Sequence, residues 1–90
     1  MAHLPLKELI QRLADAEKEV EVGGRYGHYK DPTKEYIVKS LALLEATDEV
    51  MVIYEGQYNN PRVSYIRPLA SFCEVIDIAG VPTPRFTKMH

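Results

Sequence analysis

Ninety residues, 46% of them hydrophobic and 27% charged, fit one small globular unit with a single modest core and little room for a deep internal cavity. Eleven Lys and Arg stand against thirteen Asp and Glu, a formal net charge of −2, so the basic excess with which strong nucleic-acid binders neutralise phosphates is missing. No apolar run is long enough for a transmembrane helix and no basic segment leads into a secretory core, and the single Cys73 has no partner in the chain; a soluble protein of the reducing cytoplasm is expected.

The chain opens with an amphipathic helix. Leu6, Leu9, Ile10 and Leu13 recur at i, i+3, i+4 and i+7, with Ala14 and Ala16 beside them and Lys7, Glu8, Gln11, Arg12 and Asp15 on the other faces. Pro5 suits a first turn, where a missing N–H costs nothing. The helix is expected to stop near Glu19, before Gly23-Gly24, which can adopt backbone angles a helix cannot. Residues 1–22 therefore form a helical extension, acidic in balance, ahead of a neutral β domain over residues 23–90.

From Gly24 the hydrophobic period shortens. Five runs rich in Tyr, Val and Ile read as strands: Arg25–Lys30, Glu35–Leu44, Val50–Gln57, Arg62–Arg67 and Phe72–Ile78. In the second run Tyr36, Val38, Ser40, Ala42 and Leu44 would share one face, although residues 39–46 also carry a helical composition. Pro32, Pro61 and Pro68 mark places where ladder pairing should stop, since proline donates no hydrogen bond. Val81–Phe86 reads as an extended tail docked through Phe86. Five short strands joined by brief turns predict a mainly β fold, a small antiparallel barrel with the helix over one side, because closure removes exposed edges.

The segment Gly24-Arg25-Tyr26-Gly27-His28-Tyr29-Lys30 interleaves rings, cations and glycines. Strand alternation puts Tyr26, His28 and Lys30 on one face, a ring, an imidazole and an ammonium suited to stacking on a ligand and neutralising it. The same rings would serve equally as packing with their hydroxyls at the surface. Arg67, held extended by the following Pro68, would present a planar guanidinium to a carboxylate or phosphate, or would bridge to Glu55 or Glu74 on a neighbouring strand. Catalytic and metal motifs are missing. Ser40, Ser64 and Ser71 lack an activating context, Cys73 beside Phe72 reads as a buried thiol, and His28 with Asp31 does not make a metal set. His3 and His90 stand at the termini and join no arrangement. No cofactor is expected.

Gly24-x-Tyr26-x-His28-Tyr29-Lys30, Tyr36-x-Val38, Val52-Ile53-Tyr54, Tyr65-Ile66-Arg67-Pro68, Phe72 and Val81-Pro82-x-Pro84-Arg85-Phe86 together resemble the bacterial domain-of-unknown-function family 1653 over residues 23–87. The resemblance implies a small, mainly β domain of SH3-like barrel type, and no activity. Three positions depart from the family's pattern: Tyr65 replaces a frequent tryptophan, Leu44 replaces a histidine, and Thr83-Pro84 separates Pro82 from Arg85.

Three functions compete. The first is a non-catalytic binding module that presents Tyr26, His28, Lys30, Tyr54, Tyr65, Arg67, Arg85 and Phe86 to a peptide, a nucleotide or single-stranded nucleic acid, although net charge does not favour nucleic acid. The second is self-association through the Leu6, Leu9, Ile10 and Leu13 stripe. The third is an enzyme acting on a nucleotide or anionic metabolite, with His28 as acid or base and Arg67 or Arg85 as oxyanion partner.

Overall fold

The computed structural model describes residues 4–89; His3 and His90 lie outside them. Helix α1 spans Leu6–Glu19, with Pro5 as its N-cap and Val20 as its C-cap. The chain then runs β1 Arg25–His28, β2 Asp31–Leu44, β3 Glu49–Gly56, β4 Ser64–Pro68, a one-turn helix α2 Leu69–Phe72, β5 Val75–Ile78, β6 Val81–Pro84 and β7 Phe86–Lys88. Among the described residues no helix is long and apolar enough to cross a membrane.

Helix α1 follows the sequence pattern, but its apolar stripe divides. Leu9 and Leu13 are half-buried, Ala16 and the C-cap Val20 are buried, and Leu6 and Ile10 remain 72% and 57% exposed. Two contacts from Asp48, in the β2–β3 turn, hold the helix down. The backbone N–H of Leu4 donates to Asp48 Oδ2 at 3.0 Å, and Arg12 donates to the Asp48 carbonyl at 3.1 Å. Gly23, at φ 85°, supplies a left-handed turn that a residue with a Cβ resists. Its N–H donates to the Val38 carbonyl, so the linker is stitched to β2.

The sheet is open, contrary to the expected barrel. Its order is β4-β3-β2-β1-β7, all antiparallel, with β4 and β7 as unpaired edges, while β5 and β6 form a separate hairpin. Closure is unnecessary because helical segments cover the inner face. Val20, following α1, and Phe72 of α2 join Tyr26, Val38, Val52, Tyr54 and Phe86 in one core cluster. A buried face lowers free energy whether strands or helices cover it.

Four further readings are corrected. The face expected along β2 does not persist, because Val38 pairs with Tyr54 and Ser40 with Ile53, which leaves Lys39 as a bulge. One extra residue exchanges the faces, so Leu41, and not Ser40 or Ala42, packs on the core behind Tyr36 and Val38. Pro32 does not end pairing either. Gly27 pairs with Glu35 and His28 with Asp31, so Pro32, Thr33 and Lys34 stand out of the ladder within β2, where no proline N–H is needed. The fifth run begins as α2 and ends as β5, since Pro68, at ψ 141°, closes β4 and opens the helical turn. The C-terminal tail is structured: β6 pairs with β5 and β7 with β1, so Thr83 and Pro84 lie in a paired strand opposite Ile76 and Val75.

Candidate functional site

A groove of about 330 Å³ opens where the bulged turn between β1 and β2 meets β3, β4 and β7. Tyr54 and Phe86 form its buried floor, His28, Tyr36 and Arg67 its half-buried walls, and Tyr58 and Tyr65 its exposed rim. Lys30, Asp31 and Lys34 complete the rim from the turn.

Local structure explains the convergence. Residues 32–34 loop out opposite the step from Gly27 to His28, which carries Lys34 to the groove. Its Nζ lies 4.9 Å from the centroid of the Tyr58 ring and 4.0 Å from Asp31 Oδ2. Register aligns the rings: Tyr54 pairs directly with Tyr65, and Val38 pairs with Tyr54 two residues beyond Tyr36. Tyr36 meets Tyr54, Tyr58 and Phe86 edge-on at 5.6, 5.5 and 5.8 Å, and Phe86 stacks flat on Phe72 at 4.2 Å. Such ring geometries add to the burial energy of this wall. The hydroxyls of Tyr36, Tyr58 and Tyr65 form a row, 3.2 Å and then 3.5 Å apart.

Arg67 is fixed by its surroundings. Its Nε–H donates to the Tyr54 hydroxyl at 3.4 Å and Nη1 donates to Ser71 Oγ at 2.9 Å, with the guanidinium carbon 5.8 Å from the Phe86 centroid. Nη2 has no hydrogen-bond partner among the described residues. Neither of the two bridges expected for Arg67 forms: Glu55 faces Arg62, and Glu74 faces Arg85 at 2.6 Å.

His28 accepts the Lys30 N–H at Nδ1, 3.1 Å away, so its proton sits on Nε2. Burial lowers its pKa from 6.5, and the positive charges of Arg85, Arg67 and Lys30 lower it further. Tyr65 moves the other way, its phenol raised first by the hydrogen bond with Tyr58. Beyond His28 lies a second, apolar cleft of about 300 Å³ lined by Gly27, Tyr29, Pro32, Pro84 and Met89.

Of the eight residues nominated from sequence, His28, Lys30, Tyr54, Tyr65, Arg67 and Phe86 line the groove. Tyr26 does not: it is buried, edge-on to Phe72, and its hydroxyl accepts the Glu21 N–H at 3.0 Å. Arg85 lies behind the groove, pairing with Glu74 and acting on His28 only through its charge. Sequence reasoning misses Asp31, Lys34, Tyr36 and Tyr58 as lining residues. Tyr36 stands in a motif, but the reach of Lys34 depends on the β1–β2 bulge, and Tyr58 lies in a turn with no periodic signal. Cys73 is exposed at the end of α2 rather than buried, although partial burial of the thiol and the charge of Glu19 still raise its pKa. Leu44 pairs with Glu49 at the far end of β2 from Tyr36, away from the groove. No three His, Cys, Asp or Glu side chains among the described residues are placed to hold a metal.

Comparison with known proteins gives a consistent result. The model of the family described as "Protein of unknown function (DUF1653)" matches residues 24–88. A crystal structure of a DUF1653 protein from Bordetella bronchiseptica is 35% identical to this chain, with a TM-score of 0.60, over 71% of this chain and 81% of that one. No curated protein matches.

Proposed function

The chain belongs to the family of proteins of unknown function DUF1653, and from that premise we propose that it is a non-catalytic binding module whose groove takes a small ligand bearing a planar ring and a negative charge. One observation carries this reading: a ring-walled groove with more cations than carboxylates on a protein whose net charge is −2. Rings stack on a planar group while Arg67, Lys30 and Lys34 attract its charge. Binding fits better than catalysis, because the hydroxyls lining the groove are phenolic and His28 is oriented by a backbone N–H rather than by a carboxylate. A reducing compartment such as the cytoplasm suits the unpaired, exposed Cys73. Amide NMR titration with a panel of aromatic anions tests the reading. Shifts should centre on Tyr36, Tyr54, Tyr65, Arg67 and Phe86; shifts confined to α1 or to the β5–β6 hairpin would refute it.

A second reading, self-association through α1, is favoured by the exposure of Leu6 and Ile10 one turn apart. Sedimentation at millimolar concentration tests it, and a monomer there, unchanged by Ile10→Glu, excludes it.

A further inference from the structure

We propose that the occupant of the groove is a phosphate monoester carried on an aromatic or nucleobase-bearing group of mononucleotide size, held as its dianion. This rests on the reading of the groove as a binding site and narrows it to one ligand chemistry.

Charge selects the anion and its valence. The groove's lining holds the cations Lys30, Lys34 and Arg67 with Asp31 as its one carboxylate, two positive charges in excess. His28 adds none at neutral pH, because its Nδ1 is committed to the Lys30 N–H. A dianion cancels the excess, whereas a carboxylate or a phosphodiester leaves half of it. A cationic occupant, the usual guest of a tyrosine-rich box, is excluded because the protein's own cations already sit on the rings: Lys34 over Tyr58 and Arg67 over Phe86.

The hydrogen-bond inventory points the same way. A phosphate dianion offers only acceptors, three strong oxygens. Arg67 Nη2 is unspent, and the guanidinium is already fixed by Tyr54 and Ser71, so little side-chain freedom is lost when it binds. Tyr36, Tyr58 and Tyr65 bring three O–H protons to two mutual contacts, which leaves at least one proton to donate outward. The Tyr65 ring, 38% exposed and with no cation over it among the described residues, provides the surface on which an aromatic group stacks. Size completes the case. A groove of about 330 Å³ lies at the lower end of small-molecule sites. The chain's net charge of −2 further opposes a polyanion such as nucleic acid.

Calorimetric titration of the full chain at pH 8 and low salt tests this with five probes: a nucleoside 5′-monophosphate, its methyl phosphodiester, the free nucleoside, an aryl carboxylate and inorganic phosphate. The monophosphate is expected to bind at least about tenfold more tightly than each of the others. Arg67→Gln should weaken it a further ten- to hundredfold, and the solvent-exposed Lys34→Gln, which leaves the core untouched, about threefold to tenfold. If diester, nucleoside or carboxylate matches the monophosphate, the phosphate assignment fails while the groove reading stands. Inorganic phosphate binding as tightly as the monophosphate overturns the aromatic requirement. If no probe binds, or binding ignores both substitutions, the groove reading fails as well.

Discussion

Phe86→Leu tests whether one aromatic stack supports both the core and the groove. Phe86 is 8% exposed and lies flat on Phe72 at 4.2 Å, while His28, Tyr54 and Tyr36 meet it edge-on at 5.0, 5.3 and 5.8 Å. Full truncation of a buried Phe to Ala costs about 3–5 kcal/mol, a large share of the roughly 5–15 kcal/mol that holds a domain folded, so the alanine variant is a poor probe. Leucine restores most of the buried volume but loses the stack, worth about 0.5–1.5 kcal/mol, and the edge contacts. The expected loss is about 2–3 kcal/mol, or roughly 10–20 °C in Tm for a chain of this size. Urea and thermal unfolding of Phe86→Leu, Phe72→Leu and the double variant measure it. The cycle should return a coupling of about 1 kcal/mol, because the second substitution has no stack left to break. Phe86→Leu should also move the amides of Tyr36 and Arg67, and more than Phe72→Leu does, since Phe72 reaches the groove only through the Phe86 and Tyr54 rings. Additivity within about 0.3 kcal/mol would refute the claim that the stack joins α2 to β7.

Titration of the His28 ring by NMR should give a pKa below 6.5, rising toward 6.5 in Arg67→Gln as one repelling charge is removed. Because the folded state then holds this proton less tightly than the unfolded state, its contribution to stability is complete above about pH 6.5 and falls as pH drops through the lowered value; His28→Gln should flatten that part of the Tm profile. Deletion of Lys39 removes the β2 bulge but keeps Ser40 opposite Ile53 and Leu41 opposite Val52, so Leu41 should stay on the core and the urea midpoint should move little; a loss as large as the roughly 1.5–3 kcal/mol of turning Leu41 out would refute the reading of Lys39 as a simple one-residue bulge. Asp48→Ala removes the acceptor for the Leu4 N–H from a residue only 7% exposed and should cost about 1–3 kcal/mol, with hydrogen exchange rising first in α1 and little effect on the amides of the groove.

The sequence by itself determined the local elements and the family. The 3.6-residue period of Leu6, Leu9 and Leu13, with glycines at 23 and 24, marks α1 and its end, since helix face and helix stop are short-range properties. Alternation of Tyr and Val marks β1, β3 and β4 to within a few residues, and the separated Tyr, Arg-Pro and Pro-Arg-Phe motifs identify the family over nearly the same stretch that its model matches. Six groove residues are legible because rings and cations cluster in those motifs.

Tertiary structure alone decided where the residues meet. A single unpaired residue at Lys39 reverses the faces of β2, and the excursion of residues 32–34 carries Lys34 to the Tyr58 ring; both depend on pairing with a strand distant in sequence. The same long-range pairing makes the C-terminal segment two strands and sends Tyr26 to the core while leaving His28 in the groove. The sheet stays open because Val20 and Phe72 cover the face that closure would have buried, and burial depends on area covered rather than on the kind of element covering it.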